Sequence, residues 1–197
     1  MNSTKDESGG LKDEPSAIVR SGVMQFIVFA GLPGTGKSSI AEAVGRELGI
    51  PVFAKDWLEA TLRRSGLGPS TDVGYAGYEL LTTLAQRQLQ LGQSVILDSV
   101  ASIESIRTRW RELAATYQAR WRIIECVCSD ETAHRARLAV RERGIPGWHE
   151  LTWAEVEHVK AYYAEWQADR LIIDAVNPLD DNIAAALNYI RKASHKA

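Results

Sequence analysis

A glycine-rich loop that ends in a lysine and a serine occupies residues 31–38, with the sequence GLPGTGKS. Glycines at this spacing let the backbone curl so that successive N–H groups point at phosphate oxygens. Lys37 would place a positive charge against the β- and γ-phosphates, and the Ser38 hydroxyl would coordinate Mg²⁺. The loop therefore predicts a site for ATP with Mg²⁺. The predicted nucleotide contacts in it are Leu32, Pro33, Gly34, Thr35, Gly36, Lys37, Ser38 and Ser39.

The segments on either side of the loop support this interpretation. Residues 24–30 form an almost continuous apolar run, which is typical of a buried strand in a parallel sheet. After the loop, Ile40, Val44 and Leu48 recur at four-residue spacing, which indicates one face of a helix. A helix that starts at the loop would direct its positive dipole end at the phosphates. The alternative, a glycine-rich turn with an exposed lysine, would not need this order of strand, loop and helix.

The same alternation of strands and helices continues along the chain. Apolar runs predict further strands at residues 51–54, 94–98, 121–128 and 171–174. Helical spacing and capping residues predict further helices at residues 58–64, 76–91, 103–117, 130–143, 152–166 and 182–191. We therefore expect an α/β fold, a doubly wound five-stranded parallel sheet with helices on both faces. Ligands of such sheets bind at the carboxyl ends of the strands.

The composition is that of an ordinary globular domain. The chain has 197 residues, of which 45% are apolar and 24% charged, enough for one compact domain. We expect residues 1–22 to form a flexible polar tail and residues 23–197 a single domain. No apolar run approaches the ~20 residues that cross a bilayer. The two cysteines, Cys126 and Cys128, fit buried reduced thiols in the cytoplasm.

Charge and pattern narrow the classes of protein that use such a loop. The net charge of -2 weakens a nucleic-acid function without excluding it, because a local patch can still be basic. Guanine-specific switch proteins carry Asn-Lys-x-Asp, whereas residues 177–180 read Asn-Pro-Leu-Asp. Remodelling ATPases are usually larger and tend to end their acidic strand in paired carboxylates, whereas Asp98 stands alone. Size and pattern therefore favour a kinase.

At this point the sequence resembles a known family, the small P-loop kinases of the "predicted kinase" ATPase (AAA-type) family. These are relatives of polynucleotide 5′-kinase, zeta-toxin and chloramphenicol phosphotransferase. The resemblance spans about residues 26–190 and includes Lys55-Asp56, VILDS at 95–99, RLAVR at 137–141 and LIIDAVNPLDDN at 171–182. It implies a nucleotide-kinase-like fold with a small helical lid at about residues 137–158.

The resemblance also implies roles for two aspartates that follow strands. In this family an aspartate after the second strand accepts the proton of the attacking hydroxyl, and Asp56 matches that position. The alternative for Asp56 is the N-cap of the helix that follows. Asp98 would hold the Mg²⁺ shell, directly or through water. Ser99-Val100 departs from the Thr-Asn that relatives often have there.

Arginines and a late loop complete the predicted site. By resemblance, Arg137 and Arg141 belong to a lid that closes over the triphosphate, and their spacing puts both on one helical face. The alternative is a solvated basic face that pairs with Glu131 or Glu142, which we prefer for Arg135 and Arg143. The resemblance further places Asn177 and Pro178 near the adenine. A separate cluster, Arg107, Arg109 and Arg111 around Trp110, is expected to face solvent while Trp110 packs in the core.

The leading hypothesis is an ATP-dependent kinase that phosphorylates a hydroxyl of a small-molecule acceptor. A 5′-hydroxyl polynucleotide kinase and a zeta-type toxin kinase with a protein antitoxin are alternatives. A further alternative is an ATP-binding regulator without phosphoryl transfer, in which a partner detects the nucleotide-bound state. The acceptor pocket would be built by residues 57–84 and the helix after Asp98. Leu62, Arg63 and Tyr75 are candidate lining residues, whereas the acceptor's identity and the oligomeric state stay open.

Overall fold

Five parallel strands form the central sheet of the computed structural model, which describes residues 23–67 and 72–192. The predicted tail, residues 1–22, lies outside the described residues. The strands, in chain order, are β1 (Gln25–Ala30), β2 (Val52–Ala54), β3 (Val95–Asp98), β4 (Arg120–Val127) and β5 (Leu171–Asp174). Their order across the sheet is β2-β3-β1-β4-β5, and every pairing is parallel.

Helices follow the strands and connect them across the sheet. In chain order they are α1 (Lys37–Leu48), α2 (Lys55–Arg64), α3 (Val73–Gln90), α4 (Glu104–Thr116), α5 (Glu131–Val140), α6 (Trp153–Ala161) and α7 (Leu179–Arg191). The predicted strands are confirmed to within one or two residues. The central strands β1 and β3 are buried almost throughout, as their continuous apolar runs indicate, whereas the edge strands β2 and β5 are only partly buried.

Two apolar cores lie on opposite faces of the sheet. On one face Ile27 and Phe29 of β1 pack with residues of α1 and α7. On the other, Phe26 and Val28 pack with residues of α3 and α4, including Trp110. Alternate residues of β1 thus serve different cores, as expected when successive side chains of a strand point to opposite faces. The predicted doubly wound sheet with helices on both faces is confirmed.

Two helices end earlier than their sequence pattern predicts. Helix α5 ends at Val140 instead of about residue 143, and the next residue, Arg141, already has an extended backbone. Helix α6 begins with the expected capping box between Thr152 and Glu155 but ends at Ala161 instead of about residue 166. Trp166 is nevertheless buried in the core. Because Trp166 is apolar and falls at helical spacing from α6, the sequence pattern predicted a longer helix than the structure has.

One arginine of the 107–111 cluster lies in the core instead of in solvent. Arg107 is buried, and its guanidinium lies 3.8 Å from the centroid of the Trp166 ring. Its Nε donates a hydrogen bond of 2.6 Å to the carbonyl of Ala101. Cation–π contact and this hydrogen bond offset the desolvation of the charge. The expectation that Arg107 faces solvent was therefore wrong.

The structure shows how far the two cysteines are buried and whether any described helix could cross a membrane. Cys126 is buried and Cys128 half-buried, and both are free. Burial raises the pKa of the Cys126 thiol to about 12. Across residues 23–67 and 72–192, no helix has both the length and the apolar character that a bilayer crossing requires.

Candidate active site

The register of the sheet brings three chain segments together at one edge. Asp98, the last residue of β3, is paired with Phe29 of β1 on one side and with Ala54 of β2 on the other. The glycine-rich loop follows β1, and Lys55-Asp56 follows β2. Since the strands are parallel, the loop, Asp56 and Asp98 meet at their carboxyl ends, where such sheets bind ligands.

The backbone of the loop needs glycine at its first position. Gly31 has φ +133°, and a Cβ built there would lie 2.1 Å from the carbonyl oxygen of Cys126 in β4. The loop then turns back on itself, where the Thr35 hydroxyl donates a 2.8 Å hydrogen bond to the Leu32 carbonyl. Gly36 precedes α1 in a left-handed conformation and has no side chain to cap the helix. The first amides of α1 are thus available to an anion.

Lys37 is buried beneath the loop. Its Nζ donates to the Leu32 carbonyl at 3.4 Å, and its side chain is almost inaccessible to solvent. Burial lowers the pKa of Lys37, and the nearby carboxylate of Asp98 acts in the opposite direction. A buried ammonium beside one carboxylate can attract a further anion strongly, because the surroundings screen charge poorly.

Asp98 is a buried carboxylate that interacts electrostatically with this lysine. Burial raises its pKa, whereas the Lys37 charge and a hydrogen bond from Ser38 lower it. Within the part of the chain that the structure describes, Asp98 Oδ1 and the hydroxyl of Ser99 are buried without a hydrogen-bond partner. A buried carboxylate oxygen without a partner, on a carboxylate that also accepts from Ser38, suits Mg²⁺, which takes oxygen ligands and retains water. Ser38 and Asp98, the two predicted metal residues, therefore fit the ion.

A cavity of about 350 Å³ opens above the loop. This loop cavity brings together most of the predicted phosphate contacts and the predicted lid arginines. Its lining residues are Gly34, Gly36, Lys37, Ser38, Ser39, Glu42, Arg137, Arg141, Glu142 and Arg143. Three arginines and a lysine outnumber the two glutamates in this lining, and the cavity lies beside a helix N-terminus, an arrangement that favours a polyphosphate.

A second, smaller cavity of about 240 Å³ adjoins it and is shared by Gly34, Arg137 and Asn177. The structure therefore groups Asn177 with the loop and with Arg137. Pro178, in contrast, is the residue before α7 and does not line this side cavity. The adenine contacts assigned to Asn177 and Pro178 remain predictions.

Two predicted loop contacts face other spaces. Leu32 lines a cavity on the β4 side of the loop, and Pro33 lines the cavity that also contains Asp56, described below. Neither lines the loop cavity. Any contact that they make with phosphate would use the backbone, and the nucleotide roles of both residues remain predictions.

Asp56 lies in the first turn of α2, with Ala54 as the N-cap residue. The alternative that Asp56 caps this helix is therefore wrong. Its carboxylate is ion-paired with Arg143, and the same Oδ2 atom lies 4.0 Å from Nη2 of Arg141. Arg143 was expected in solvent, but its side chain is largely buried against Asp56. Arg135 does pair with Glu131 at the surface, as expected.

A cavity of about 450 Å³, larger than the loop cavity, lies on the α2 side of Asp56. We call it the large cavity. Among the sequence candidates, Arg63 and Tyr75 line it and Leu62 does not. Its lining residues are Pro33, Lys55, Asp56, Glu59, Arg63, Asp72, Gly74, Tyr75, Tyr78, Val100, Ser102, Ile103, Trp148, His149, Leu151, Glu155, His158, Val159 and Tyr162. The wall formed by residues 148–162 was not anticipated from the sequence.

Sequence reasoning also missed His134. Its side chain is buried, and its Nε2 lies 2.7 Å from the carbonyl oxygen of Pro33 in the loop. Since a carbonyl only accepts, Nε2 must carry the proton. The ring also meets Trp153 of α6 edge-on, with centroids 5.0 Å apart. His134 and the buried Leu138 are four residues apart in α5, and this shared face was the available signal.

A parallel sheet in this order, with a glycine-rich loop between β1 and α1, defines a P-loop protein with the fold of the small kinases. Residues 26–166 match the AAA domain family AAA_33, and the chain belongs to that family.

Curated relatives add sequence similarity over much of the chain. An uncharacterized protein of Mycobacterium tuberculosis is 29% identical over 183 residues, which is 86% of this chain and 35% of that protein. The chain thus spans about a third of the length of these mycobacterial relatives. A UPF0200 protein of Methanothrix thermoacetophila is 32% identical over 130 residues, 61% of this chain and 68% of that protein.

Solved structures share the fold at low sequence identity. A gluconokinase from Sinorhizobium meliloti has a TM-score of 0.64 at 19% identity, covering 84% of this chain and 91% of its own. The Mycobacterium tuberculosis APS kinase CysC, in complex with AMPPNP and APS, has a TM-score of 0.64 at 19% identity, with coverages of 86% and 99%. Chaetomium thermophilum Kti12, in complex with ADP-AlF3, has a TM-score of 0.62 at 17% identity, with coverages of 85% and 100%.

Proposed function

We propose that this protein is an ATP-dependent kinase that transfers the γ-phosphoryl group to a hydroxyl of a small molecule. One observation carries the proposal. Asp56 lines the large cavity, while its ion-pair partner Arg143 lines the loop cavity. A carboxylate thus stands at the boundary between a site suited to phosphates and a space of about 450 Å³ that could hold an acceptor.

Each side of this boundary supplies part of the chemistry. On the loop side, Lys37, Arg137 and Arg141 would bind the triphosphate and stabilise charge during transfer. Ser38 and Asp98 would hold Mg²⁺, which neutralises charge on phosphate oxygens when it is bound. Asn177 and Pro178 would lie beside the adenine. The AMPPNP complex of the structurally similar APS kinase supports an ATP-type ligand.

Asp56 would act as the base on the other side. In this reaction the acceptor oxygen forms a bond to the γ-phosphorus, and the bond from that phosphorus to the β,γ-bridging oxygen breaks. The hydroxyl proton passes to the Asp56 carboxylate, and ADP leaves. A carboxylate within hydrogen-bond reach also orients the hydroxyl for in-line attack.

The lining of the large cavity favours a small acceptor over a polynucleotide. Its described charged residues are four carboxylates, Asp56, Glu59, Asp72 and Glu155, and two cations, Lys55 and Arg63. A polynucleotide kinase needs a surface that neutralises phosphates, so it should carry an excess of cations near the acceptor. The names of two structural neighbours, a gluconokinase and an APS kinase, agree with a small-molecule acceptor.

The test is transfer of labelled γ-phosphate from Mg·ATP into two separate pools. One pool holds hydroxylated metabolites and antibiotics, and the other holds 5′-hydroxyl oligonucleotides. We expect label in the first pool only, and Lys37→Ala protein serves as the blank. Label in the oligonucleotides alone would identify an end-processing kinase instead. Label in neither pool, with Mg·AMPPNP still bound, would favour the ATP-binding regulator.

A further inference from the structure

One oxygen of the Asp56 carboxylate, Oδ2, contacts two arginines. Arg143 Nη1 donates a hydrogen bond to Asp56 Oδ2, and Arg141 Nη2 lies 4.0 Å from the same oxygen. The three side chains are only 22%, 10% and 19% exposed for Asp56, Arg143 and Arg141. While Oδ2 is engaged by these guanidinium groups, only Oδ1 of the carboxylate is left to orient an acceptor hydroxyl.

The two arginines are also poised toward the loop cavity. Both line it together with Lys37 and Ser38. Burial lowers the pKa of Arg141, and the neighbouring charge of Arg143 lowers it further, with Asp56 acting in the opposite direction. One carboxylate thus serves two crowded guanidinium groups. A triphosphate in the loop cavity would supply further anionic oxygens to both of them.

The main chain around Arg143 is held while its side chain can change partner. The Arg143 N–H donates a 2.7 Å hydrogen bond to Glu150, and the carbonyl of Pro146 accepts a hydrogen bond from Arg64 of α2. Ile145 is buried beside this segment. These contacts fix the backbone of the α5–α6 connection against α2. The long arginine side chain can therefore exchange one anion for another by rotamer changes alone.

We propose that Arg143 masks the base: its guanidinium holds Asp56 until the γ-phosphate of ATP draws it away, so that nucleotide binding frees Asp56 for the acceptor. Arg143 would then be a positioning residue that couples the loop cavity to the large cavity. This inference rests on the proposed function in naming Asp56 as the base. The competition between two anions for one guanidinium, however, can be measured by binding alone.

The competition between Asp56 and the γ-phosphate should lower the affinity for triphosphates and leave the affinity for diphosphates almost unchanged. Because the γ-phosphate must displace Asp56 from Arg143, the ion pair weakens the binding of triphosphates. Removing the charge of Asp56 should release Arg143 and tighten Mg·AMPPNP by about tenfold, the effect of one charge-assisted hydrogen bond. Mg·ADP has no γ-phosphate, so its affinity should change by less than about twofold.

The experiment is a double-mutant cycle measured by calorimetric titration with Mg·AMPPNP and Mg·ADP. The proteins are the wild type, Asp56→Asn, Arg143→Gln and the double variant. We expect Asp56→Asn to tighten Mg·AMPPNP in the wild-type background and to have almost no effect when Arg143 is glutamine. Arg191→Gln is the matched control, since Arg191 pairs with Glu47 at the surface and does not line the loop cavity.

Three results would overturn the proposal. Equal tightening with and without Arg143, or equal tightening of Mg·ADP, would show that removal of a negative charge acts generally and not through Arg143. The absence of any tightening would show that no competition exists. If thermal melting shows that Arg143→Gln protein does not fold, the cycle is repeated with Arg143→Met, whose side chain is uncharged and about as long as that of glutamine. Transfer activity enters none of these measurements, so failure of the proposed function would be seen separately.

Discussion

Burial acts in opposite directions on Lys37 and Asp98, the two charged side chains beneath the loop. It lowers the pKa of the lysine and raises that of the aspartate, so burial alone would favour the neutral form of each. Each charge also favours ionisation of the other. The unpartnered Oδ1 of Asp98 leaves this pair incompletely satisfied. A site of this kind gains most when a cation and an anion arrive together, as Mg·ATP does.

This pairing predicts the effect of Asp98→Asn on nucleotide binding. Mg²⁺ strengthens AMPPNP binding, and the variant should need about 10- to 100-fold more Mg²⁺ to reach half of that gain, because an acidic group that holds the ion is lost. In excess EDTA, however, AMPPNP affinity should stay the same or increase, since a negative charge near the phosphates has been removed. Calorimetric titrations with and without Mg²⁺ would measure both. A loss of affinity that is equal in the two conditions would contradict the metal role.

His134 gives a second prediction for a single residue. His134→Leu leaves the buried carbonyl of Pro33 without its donor, and the loop should be held less firmly in the conformation seen here. We expect about five- to tenfold weaker Mg·AMPPNP binding, consistent with about 1–1.5 kcal/mol for such a bond. His134→Gln keeps an N–H donor and should restore most of the affinity. If the two variants bind equally, the hydrogen bond does not position the loop.

Residues in local motifs were more predictable than those defined by distant contacts. The loop glycines and Asp98 follow from their places beside a strand. Arg143 could not be placed in the same way, because its partner Asp56 is 87 positions away in the chain. Arg107 was misplaced for a similar reason, since the Trp166 ring that covers it comes from a distant segment. Burial of a cation depends on such tertiary partners, which helical periodicity does not reveal.

At the scale of single elements, helix α6 is fixed at its start by a capping box. Thr152 accepts from the N–H of Glu155, and Glu155 accepts from the N–H of Thr152 and from His149. These bonds lower the pKa of Glu155 from its ordinary value of 4.5 to about 2. A carboxyl with a depressed pKa stabilises the fold above about pH 4.5, and the stabilisation is lost as the pH falls toward 2.

The capping box predicts a stability difference that depends on pH. At neutral pH, Thr152→Ala should lower the free energy of unfolding by about 1 kcal/mol through loss of the N-cap. Glu155→Gln should also destabilise the protein, and its difference from the wild type should shrink as the pH falls from about 4.5 toward 2. Urea unfolding at several pH values would measure both variants. A Glu155→Gln difference that does not vary with pH would contradict the role assigned to the ionised carboxyl.

Helix ends were the least predictable elements. The apolar spacing that predicts α6 continues through Tyr163 and Trp166, yet the helix stops at Ala161. Both aromatic rings instead form a cluster with Arg107 and Glu125, in which the Tyr163 hydroxyl donates a 3.0 Å hydrogen bond to Glu125. Strand positions, in contrast, were accurate because each strand is a short apolar run, and in β1 and β3 burial on both faces leaves little tolerance for polar residues.

At the scale of the whole molecule, the sheet divides the chemistry between two cavities. The loop cavity is formed by loop residues and by α5 with the residues just after it. The large cavity is lined by α2, α3 and residues 148–162. The loop cavity was predictable from the sequence, because most of its residues belong to a recognisable motif. The large cavity was predictable only in part, since the wall from 148–162 is a product of tertiary packing. The α5–α6 connection touches both sides through Arg143 and its contact with Asp56.

The most direct test of the account compares phosphoryl transfer by the wild type and by Asp56→Asn, with Mg·AMPPNP affinity measured on the same proteins. If Asp56 is the base, transfer to the accepted small molecule should fall by at least about 100-fold. Nucleotide binding should be retained or tightened in the same variant. Full transfer activity in Asp56→Asn protein would contradict the central claim that this carboxylate, at the boundary of the two cavities, activates the acceptor.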